Sequence, residues 1–190
     1  PYATGHGDVV DALRASGLLD EFVERGGKWV LITNLDNLGA SVDPVYAGHA
    51  IDVGAQLLVE VAPREPTDKG GAPFRYEGRL QILEEFRLPE GFDTKRVPVL
   101  STNTMWASAA SLAEVEVPWS WFTVEKKVDG RPAIQFERLV QELTGVLDTR
   151  YVTVPREGDA SRFLPVKDPD ELERRRPVLL AAMRARGFLA

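Results

Sequence analysis

The sequence predicts an α/β domain: a mixed, mostly parallel sheet with helices on both faces and β-hairpin insertions. Three observations predict it. Two short apolar runs, Trp29-Val30-Leu31-Ile32-Thr33 and Leu57-Leu58-Val59-Glu60-Val61-Ala62, stand on either side of a helix start at Asp43-Pro44. Strand, helix and strand within about 35 residues make a βαβ unit, whose crossover is right-handed. Two glycine turns, Glu77-Gly78 and Asp129-Gly130, each lie between strand-forming runs and mark hairpins.

Asp8 to Ala15 and Leu18 to Arg25 read as helices, with Gly17 and Gly26 as breakers. Trp29 to Thr33 lies between Gly27 and Asn34 and is apolar on both faces, the pattern of a fully buried strand in a parallel sheet. Asp43-Pro44 opens a helix that should end near Gly54, and Leu57 to Ala62 is a second buried strand. Phe74-Arg75-Tyr76 and Arg79 to Leu83 pair across Glu77-Gly78. Val97 to Thr102 reads as a strand and Ala107 to Leu112 as a short helix. Val124 to Val128 and Arg131 to Phe136 flank Asp129-Gly130, the strongest hairpin signal in the chain. Phe136 to Leu143 reads as helical and Arg150 to Val154 as a strand. Asp168-Pro169-Asp170-Glu171 is a helix start, with Asp168 as N-cap, Pro169 first in the helix and Glu171 the carboxylate three residues on. Pro177 falls inside the helix that follows and should kink or split it.

Composition narrows the function. The 190 residues suit one domain, and a hydrophobic share of 44% supports a core. The net charge of −6, from 23 Lys and Arg against 29 Asp and Glu, argues against nucleic acid as a partner. The absence of cysteine excludes disulfides, thiolate metal sites and a cysteine nucleophile. Two histidines, His6 and His49, are too few for a histidine-based zinc site. No signal peptide and no long apolar run are seen, so the expectation is a soluble, cytoplasmic protein with no membrane partner.

The candidate chemistry lies where strands end, since ligands of open α/β sheets bind outside the carboxyl ends of strands. Ser161-Arg162-Phe163-Leu164-Pro165-Val166-Lys167 is an extended approach to one lysine, held just before a capped helix and well placed to meet a phosphate, or else a plain surface lysine beside that helix. Asn34-Leu35-Asp36-Asn37-Leu38-Gly39-Ala40 follows a strand, and Asp36 is a carboxylate suited to a hard cation beside phosphates. It also reads as an Asx turn leading to a helix. Thr4-Gly5-His6-Gly7-Asp8 combines glycines that admit a ligand with a hydrogen-bonding imidazole, or is a plain glycine-rich helix entry. Lys69-Gly70-Gly71 reads as a flexible loop tip, and Asn103 offers an amide for sugar hydroxyls.

Taken in order, these segments resemble the UTP–glucose-1-phosphate uridylyltransferase family. The segments that carry the resemblance are Gly5 to Asp8, Asn34 to Ala40, Lys69 to Gly71, Tyr76 to Arg79, Ser101 to Trp106 and Ser161 to Lys167, with Val128-Asp129-Gly130 similar to the family's hairpin. Six ordered motifs are far more specific than any one. The chain departs from the pattern at Ser101 to Trp106, which keeps the second of three asparagines, and at Ala72-Pro73, which follow Gly71 in place of a threonine. The resemblance implies a Rossmann-like nucleotidyltransferase fold, similar to that of the glycosyltransferase-A group. The family's glycine-rich nucleotide loop and its uracil-reading glutamine lie upstream of every matched segment. With Pro1 opening the chain, residues 1–190 are expected to be one catalytic domain lacking its N-terminal nucleotide-loop portion. That missing segment of the same protein is the expected partner, without which the chain should bind UTP weakly and be inactive.

The implied reaction is Mg²⁺-dependent, in-line transfer of uridylyl from UTP to glucose 1-phosphate, giving UDP-glucose and pyrophosphate without a covalent enzyme intermediate. By the same resemblance Asp36 holds the metal and Lys167 stabilises phosphate oxygens of both substrates. His6 contacts a sugar or nucleotide phosphate, and Gly5 lines the uridine pocket. Asn34, Gly71, Glu77 and Asn103 are the candidates for the glucose hydroxyls. Two alternatives stand beside this: a UDP-sugar or UDP-N-acetylhexosamine pyrophosphorylase, and a non-catalytic sugar-phosphate-binding fragment.

Overall fold

The computed structural model describes residues 5–66, 68–128 and 130–189. Thr4 and Asp129, two residues of the motifs above, lie outside them. Helices α1 (Asp8–Ala15) and α2 (Leu18–Glu24) lead into strand β1 (Trp29–Ile32). Helix α3 (Pro44–Asp52) follows, with Asp43 accepting a hydrogen bond from the Val45 N–H as its N-cap. Strand β2 (Leu57–Pro63) is the most deeply buried strand, with Leu57, Leu58 and Val59 fully enclosed. Burying each such side chain contributes roughly 1.5–3 kcal/mol.

Hairpin β3 (Ala72–Tyr76) with β4 (Arg79–Leu83) stands where expected, as does β6 (Phe122–Val128) with β7 (Arg131–Glu137). Between them lies β5 (Val99–Ser108), much longer than the strand predicted at 97–102, and then α4 (Ala109–Glu114). The predicted helix at 107–112 starts later because Met105, Trp106 and Ala107 are buried within β5; Ser108 caps α4 by accepting from the Ser111 N–H. The helix expected over 136–143 is also displaced. The β6–β7 register pairs Thr123 with Phe136 and Phe122 with Glu137, which carries the strand on. Only a 3₁₀ turn (Val140–Glu142) and the single turn α5 (Leu143–Val146) are helical there. Strand β8 (Thr149–Thr153) and helix α6 (Pro169–Ala185) complete the chain. Pro177 does not split α6, which runs as one helix of 17 residues. Leu179 and Ala182, beyond the proline, are anchored on Leu164 and Val166.

The main sheet has the order β1-β5-β2-β8. Only β2 and β8 pair in parallel; β5 runs against both its neighbours. The sheet is therefore mixed, and the expectation of a mostly parallel sheet fails at the level of the ladders. The predicted βαβ unit is present in direction, but β5 is inserted between its two strands: Leu31 and Leu58 both lie opposite Trp106. Strand β1, expected to be fully buried, is half-buried along its length and pairs on one side only among the described residues. Helices do cover both faces. Leu57, Val59, Val61, Met105 and Ala107 pack with α1, α2, α4 and α5. Leu58 and Trp106 pack with Ala50 of α3 on the other.

One charged pair lies inside this core. Glu60, fully buried in the middle of β2, accepts two hydrogen bonds from the Arg162 guanidinium at 2.7 Å each and one from the Trp106 indole at 2.9 Å. Arg162 also stacks 4.3 Å from the centre of the Tyr46 ring and donates to the Ser41 carbonyl.

Candidate active site

A cleft of about 330 Å³ opens where β1, β2 and β8 reach their carboxyl ends, as expected for a sheet of this class. It brings together Asn34, Asp36, Gly71, Asn103 and Lys167. A roomier recess of about 740 Å³ at the β8 edge holds none of the predicted residues.

The loop after β1 is positioned by two residues whose role the sequence does not advertise. Asn37 is buried and spends its whole amide on the fold. Its nitrogen donates to the Arg162 carbonyl at 3.0 Å and to Thr104 Oγ1 at 3.4 Å, and its oxygen accepts from the N–H groups of Gly39 and Leu164. At Gly39 a Cβ would lie 2.7 Å from the Arg162 carbonyl carbon, so only glycine lets the two backbones approach. The Asp36 carbonyl in turn accepts from the Val166 N–H at 2.9 Å. These contacts set the 34–40 loop against the 162–167 segment and bring the Asp36 carboxylate onto the Lys167 ammonium as an ion pair. Lys167 remains 65% exposed and Asp36 31%, so both are open to a ligand. The backbone at Lys167 is held from the other side: its N–H donates to Glu171 at 2.9 Å, while Asp168 caps α6 through the Glu171 N–H.

Asn103 owes its place to a bulge. The β2–β5 register steps from Glu60 opposite Thr104 to Val61 opposite Ser101, leaving Thr102 and Asn103 unpaired, and Asn103 takes a left-handed φ of 55°. Bulges of this kind re-aim a side chain beside a site. The Asn103 amide oxygen accepts from Gln141 Nε2 at 2.7 Å, and the same nitrogen donates to Glu84 at 2.9 Å. A Cβ on Gly71 would lie 2.8 Å from the Glu84 carboxylate. Burial pushes the Glu84 carboxyl above its ordinary range; Glu85 adds to this and Arg64 opposes it. Glu84 is thus the acid that the fold brings to Gly71 and Asn103. Glu77, predicted for the glucose hydroxyls, sits exposed in the β3–β4 turn with φ 49° and does not line this cleft. The signal for it in the sequence is Leu83-Glu84, a carboxylate directly after β4.

His6 and Gly5 do not line the cleft. The Gly5–Asp8 segment docks on residues 137–140. A Cβ at Gly5 would lie 2.5 Å from the Arg138 carbonyl oxygen and one at Gly7 2.7 Å from its carbon. Arg138 pairs with Asp8 and Asp11 and lies over the rings of Trp119 and Trp121. The residue His6 is exposed overall, yet its Nδ1 turns inward and accepts from the Val140 N–H at 2.9 Å. The packing around the ring lowers its pKa, and Glu137 partly opposes this. A neutral imidazole is what the Val140 bond needs, because a protonated Nδ1 cannot accept. The folded state therefore binds fewer protons here than the unfolded one, and stability should decline as pH falls below about 6.5. Urea midpoints against pH test this. His6→Asn, which keeps an acceptor but cannot titrate, should flatten the decline; an unchanged profile would remove His6 as its source.

Lys69, Arg156, Lys167 and Arg175 line the cleft with Asp36, Glu65, Asp68 and Glu171. Arg156 pairs with Asp68 and Glu65, and Arg175 with Glu171. Among the described residues no three His, Asp or Glu side chains converge as a metal cage. A hard cation held mainly by phosphate oxygens needs only one or two carboxylates. Asp36, open to the cleft, fits Mg²⁺ in that mode. Among the described residues no helix is long and apolar enough to cross a membrane.

The family model described as UTP--glucose-1-phosphate uridylyltransferase matches residues 1–184. The UTP--glucose-1-phosphate uridylyltransferase of Musa acuminata is 33% identical in an alignment that covers 90% of this chain and 38% of that protein. That of Hordeum vulgare is 32% identical, the alignment again covering 90% of this chain and 38% of the relative. The fold is similar to a solved structure of a UDP-glucose pyrophosphorylase variant from Leishmania major in complex with UDP-glucose. The TM-score is 0.74 at 27% identity, covering 90% of this chain and 41% of that one. The chain thus spans about 38% of the length of the curated relatives it matches.

Proposed function

Because the chain belongs to the UTP–glucose-1-phosphate uridylyltransferase family, we propose that its protein makes UDP-glucose and pyrophosphate from UTP and glucose 1-phosphate, on a Rossmann-like, glycosyltransferase-A-like sheet. The observation that carries this reading is the cleft in which Lys167 meets Asp36 and which Asn34, Gly71 and Asn103 also line, Asn103 being held by Gln141. A phosphate oxygen of glucose 1-phosphate attacks the α-phosphorus of UTP in line. The new P–O bond forms as the bond to the bridging oxygen breaks, and pyrophosphate leaves with the electron pair. Little covalent chemistry is left for the protein, so catalysis is positioning and charge neutralisation. Lys167 donates to the phosphate oxygens as charge gathers on them. Asn34, Asn103 and the backbone at Gly71 hydrogen-bond glucose hydroxyls, with Glu84 as the partly buried acid near them. The exposed edge of His6 and the backbone of Gly5 belong to the nucleotide side. Asp36 would hold Mg²⁺, which when bound neutralises phosphate charge. A cytoplasmic location belongs to the same reading, and cell fractionation tests it.

The reading is tested by following UDP-sugar and pyrophosphate formation by the full-length protein from UTP and a panel of sugar 1-phosphates. Preference for glucose 1-phosphate supports it, and preference for N-acetylhexosamine 1-phosphate moves it to the alternative sugar. The metal role is tested separately. Asp36→Asn keeps the volume and removes the charge, so the Mg²⁺ concentration for half-maximal activity should rise at least about tenfold. An unchanged Mg²⁺ response would leave Asp36 as a turn residue.

A further inference from the structure

The loop that carries Lys69, Gly70 and Gly71 into the cleft is tied down by two arginines from outside the loop's glycine tip. Arg64, immediately after β2, has a side chain only 6% exposed and donates to the carbonyls of Asp68 and Gly70 at 3.3 Å each, and to Glu85 at 3.1 Å. Arg156, just after β8, grips the Asp68 carboxylate with both prongs of its guanidinium, Nη2 to Oδ1 at 2.9 Å, and also donates to the Pro63 carbonyl at 2.8 Å. Both side chains of that pair are 13% exposed. The second carboxylate oxygen of Asp68 accepts from the Glu65 N–H at 2.6 Å, closing the loop on itself. Burial works to raise the Asp68 carboxyl, but the Arg156 hydrogen bonds, the Glu65 N–H and the Arg156 and Arg64 charges hold it below the usual carboxylate range. At the far end the Gly71 carbonyl accepts from the Ser101 N–H at 2.8 Å.

Arg156 has a second attachment. Its guanidinium lies 5.2 Å from the centre of the Phe163 ring, and Phe163 lines the cleft on the segment that ends at Lys167. One side chain therefore touches both walls: the 65–71 loop through Asp68, and the 163–167 segment through Phe163. We infer that Arg156 is a positioning residue for the sugar-phosphate end of the cleft, fixing the Lys69–Gly71 loop relative to Lys167 through its fork on Asp68. This rests on the function proposed above. A bidentate guanidinium–carboxylate contact fixes orientation as well as distance. A loop whose glycine tip supplies backbone contacts needs such an outside restraint, because misplacement by about 1 Å costs on the order of 10²-fold.

The test uses the full-length protein with Arg156→Gln, Asp68→Asn, their combination and Arg156→Lys. Each of the first two should raise KM for glucose 1-phosphate about tenfold to a hundredfold, with kcat within about threefold of wild type. Without substrate, each should speed amide hydrogen exchange across residues 65–71 while leaving exchange in β2 and β5 unchanged. The double variant should be no worse than Arg156→Gln, because all three lose the Arg156–Asp68 fork and Arg156→Gln already loses the contacts with Glu65, Pro63 and Phe163. Arg156→Lys keeps the charge without the fork and should recover only part of the loss. Unchanged exchange across 65–71, an unchanged KM, or additive losses would each overturn the inference. Asp68→Asn, the milder change, decides if Arg156→Gln does not fold. If the wild type makes no UDP-sugar from any sugar 1-phosphate, it is the function that fails, and the exchange measurement alone decides the restraint.

Discussion

Lys167→Ala in the full-length protein should lower kcat by on the order of 10²–10³-fold, the scale on which loss of one preorganised donor to developing phosphate charge is felt. The fold should not change. The segment is held by Leu164 and Val166 against α6 and by the Asp168 and Glu171 caps, none of which uses the Lys167 ammonium. Steady-state kinetics with a matched thermal melt check both halves of this statement. Activity within a few-fold of wild type would take Lys167 out of the chemistry. Loss of activity together with a large fall in Tm would assign it to structure.

The second large effect concerns stability. Arg162→Ala leaves the Glu60 carboxylate fully buried with only the Trp106 indole as a partner. Breaking a buried pair by removing one member costs about 3–5 kcal/mol, which for a chain of this size is a fall in Tm of roughly 6–20 °C. Replacing both, Glu60→Met with Arg162→Met, should recover much of that, because no unpaired charge remains. Urea denaturation of the single and double variants decides it. A double variant no more stable than Arg162→Ala would mean that the contacts of Arg162 with Tyr46 and Ser41, and not its charge, carry the effect.

Local features of this chain were legible because their causes are local. Asp43 and Asp168 cap helices, and the Glu77-Gly78 turn closes a hairpin, for reasons contained in four or five residues. The Asn34–Ala40 and Ser161–Lys167 segments were legible as a candidate site, and they meet as Asp36 and Lys167. What stayed hidden depends on residues far apart in the chain. The apolar runs of β1 and β2 say that both strands are sandwiched, but their neighbour is chosen by β5, and a period of two along one strand carries no information about its partner. Glu60 reads as one polar residue in an apolar run until Arg162, 102 residues later, is placed against it. Glu77 carries the sugar-binding expectation by motif and stands exposed in the β3–β4 turn, while the acid near Gly71 is Glu84. Asn37 and Gly39 belong to a recognisable motif, but their work is to hold the backbone of the 162–164 segment, which no spacing reveals.

The place of β5 has a consequence for how the polypeptide is made. Strands β1 and β2 come first in the chain, but they are joined only through a strand that ends at Ser108. On the ribosome, both apolar strands emerge and wait, Trp29–Ile32 longer than Leu57–Pro63, before the one that joins them exists. The loop bearing Asp36 waits longer still, until Arg162 and Leu164 can receive the Asn37 amide. Pairings of such large sequence separation form slowly, and chains that hold unpaired strands while they form are prone to associate with one another. Yield from a cell should therefore depend on how long those strands stay unmatched during synthesis, a quantity set by strand order and distinct from the stability of the finished fold.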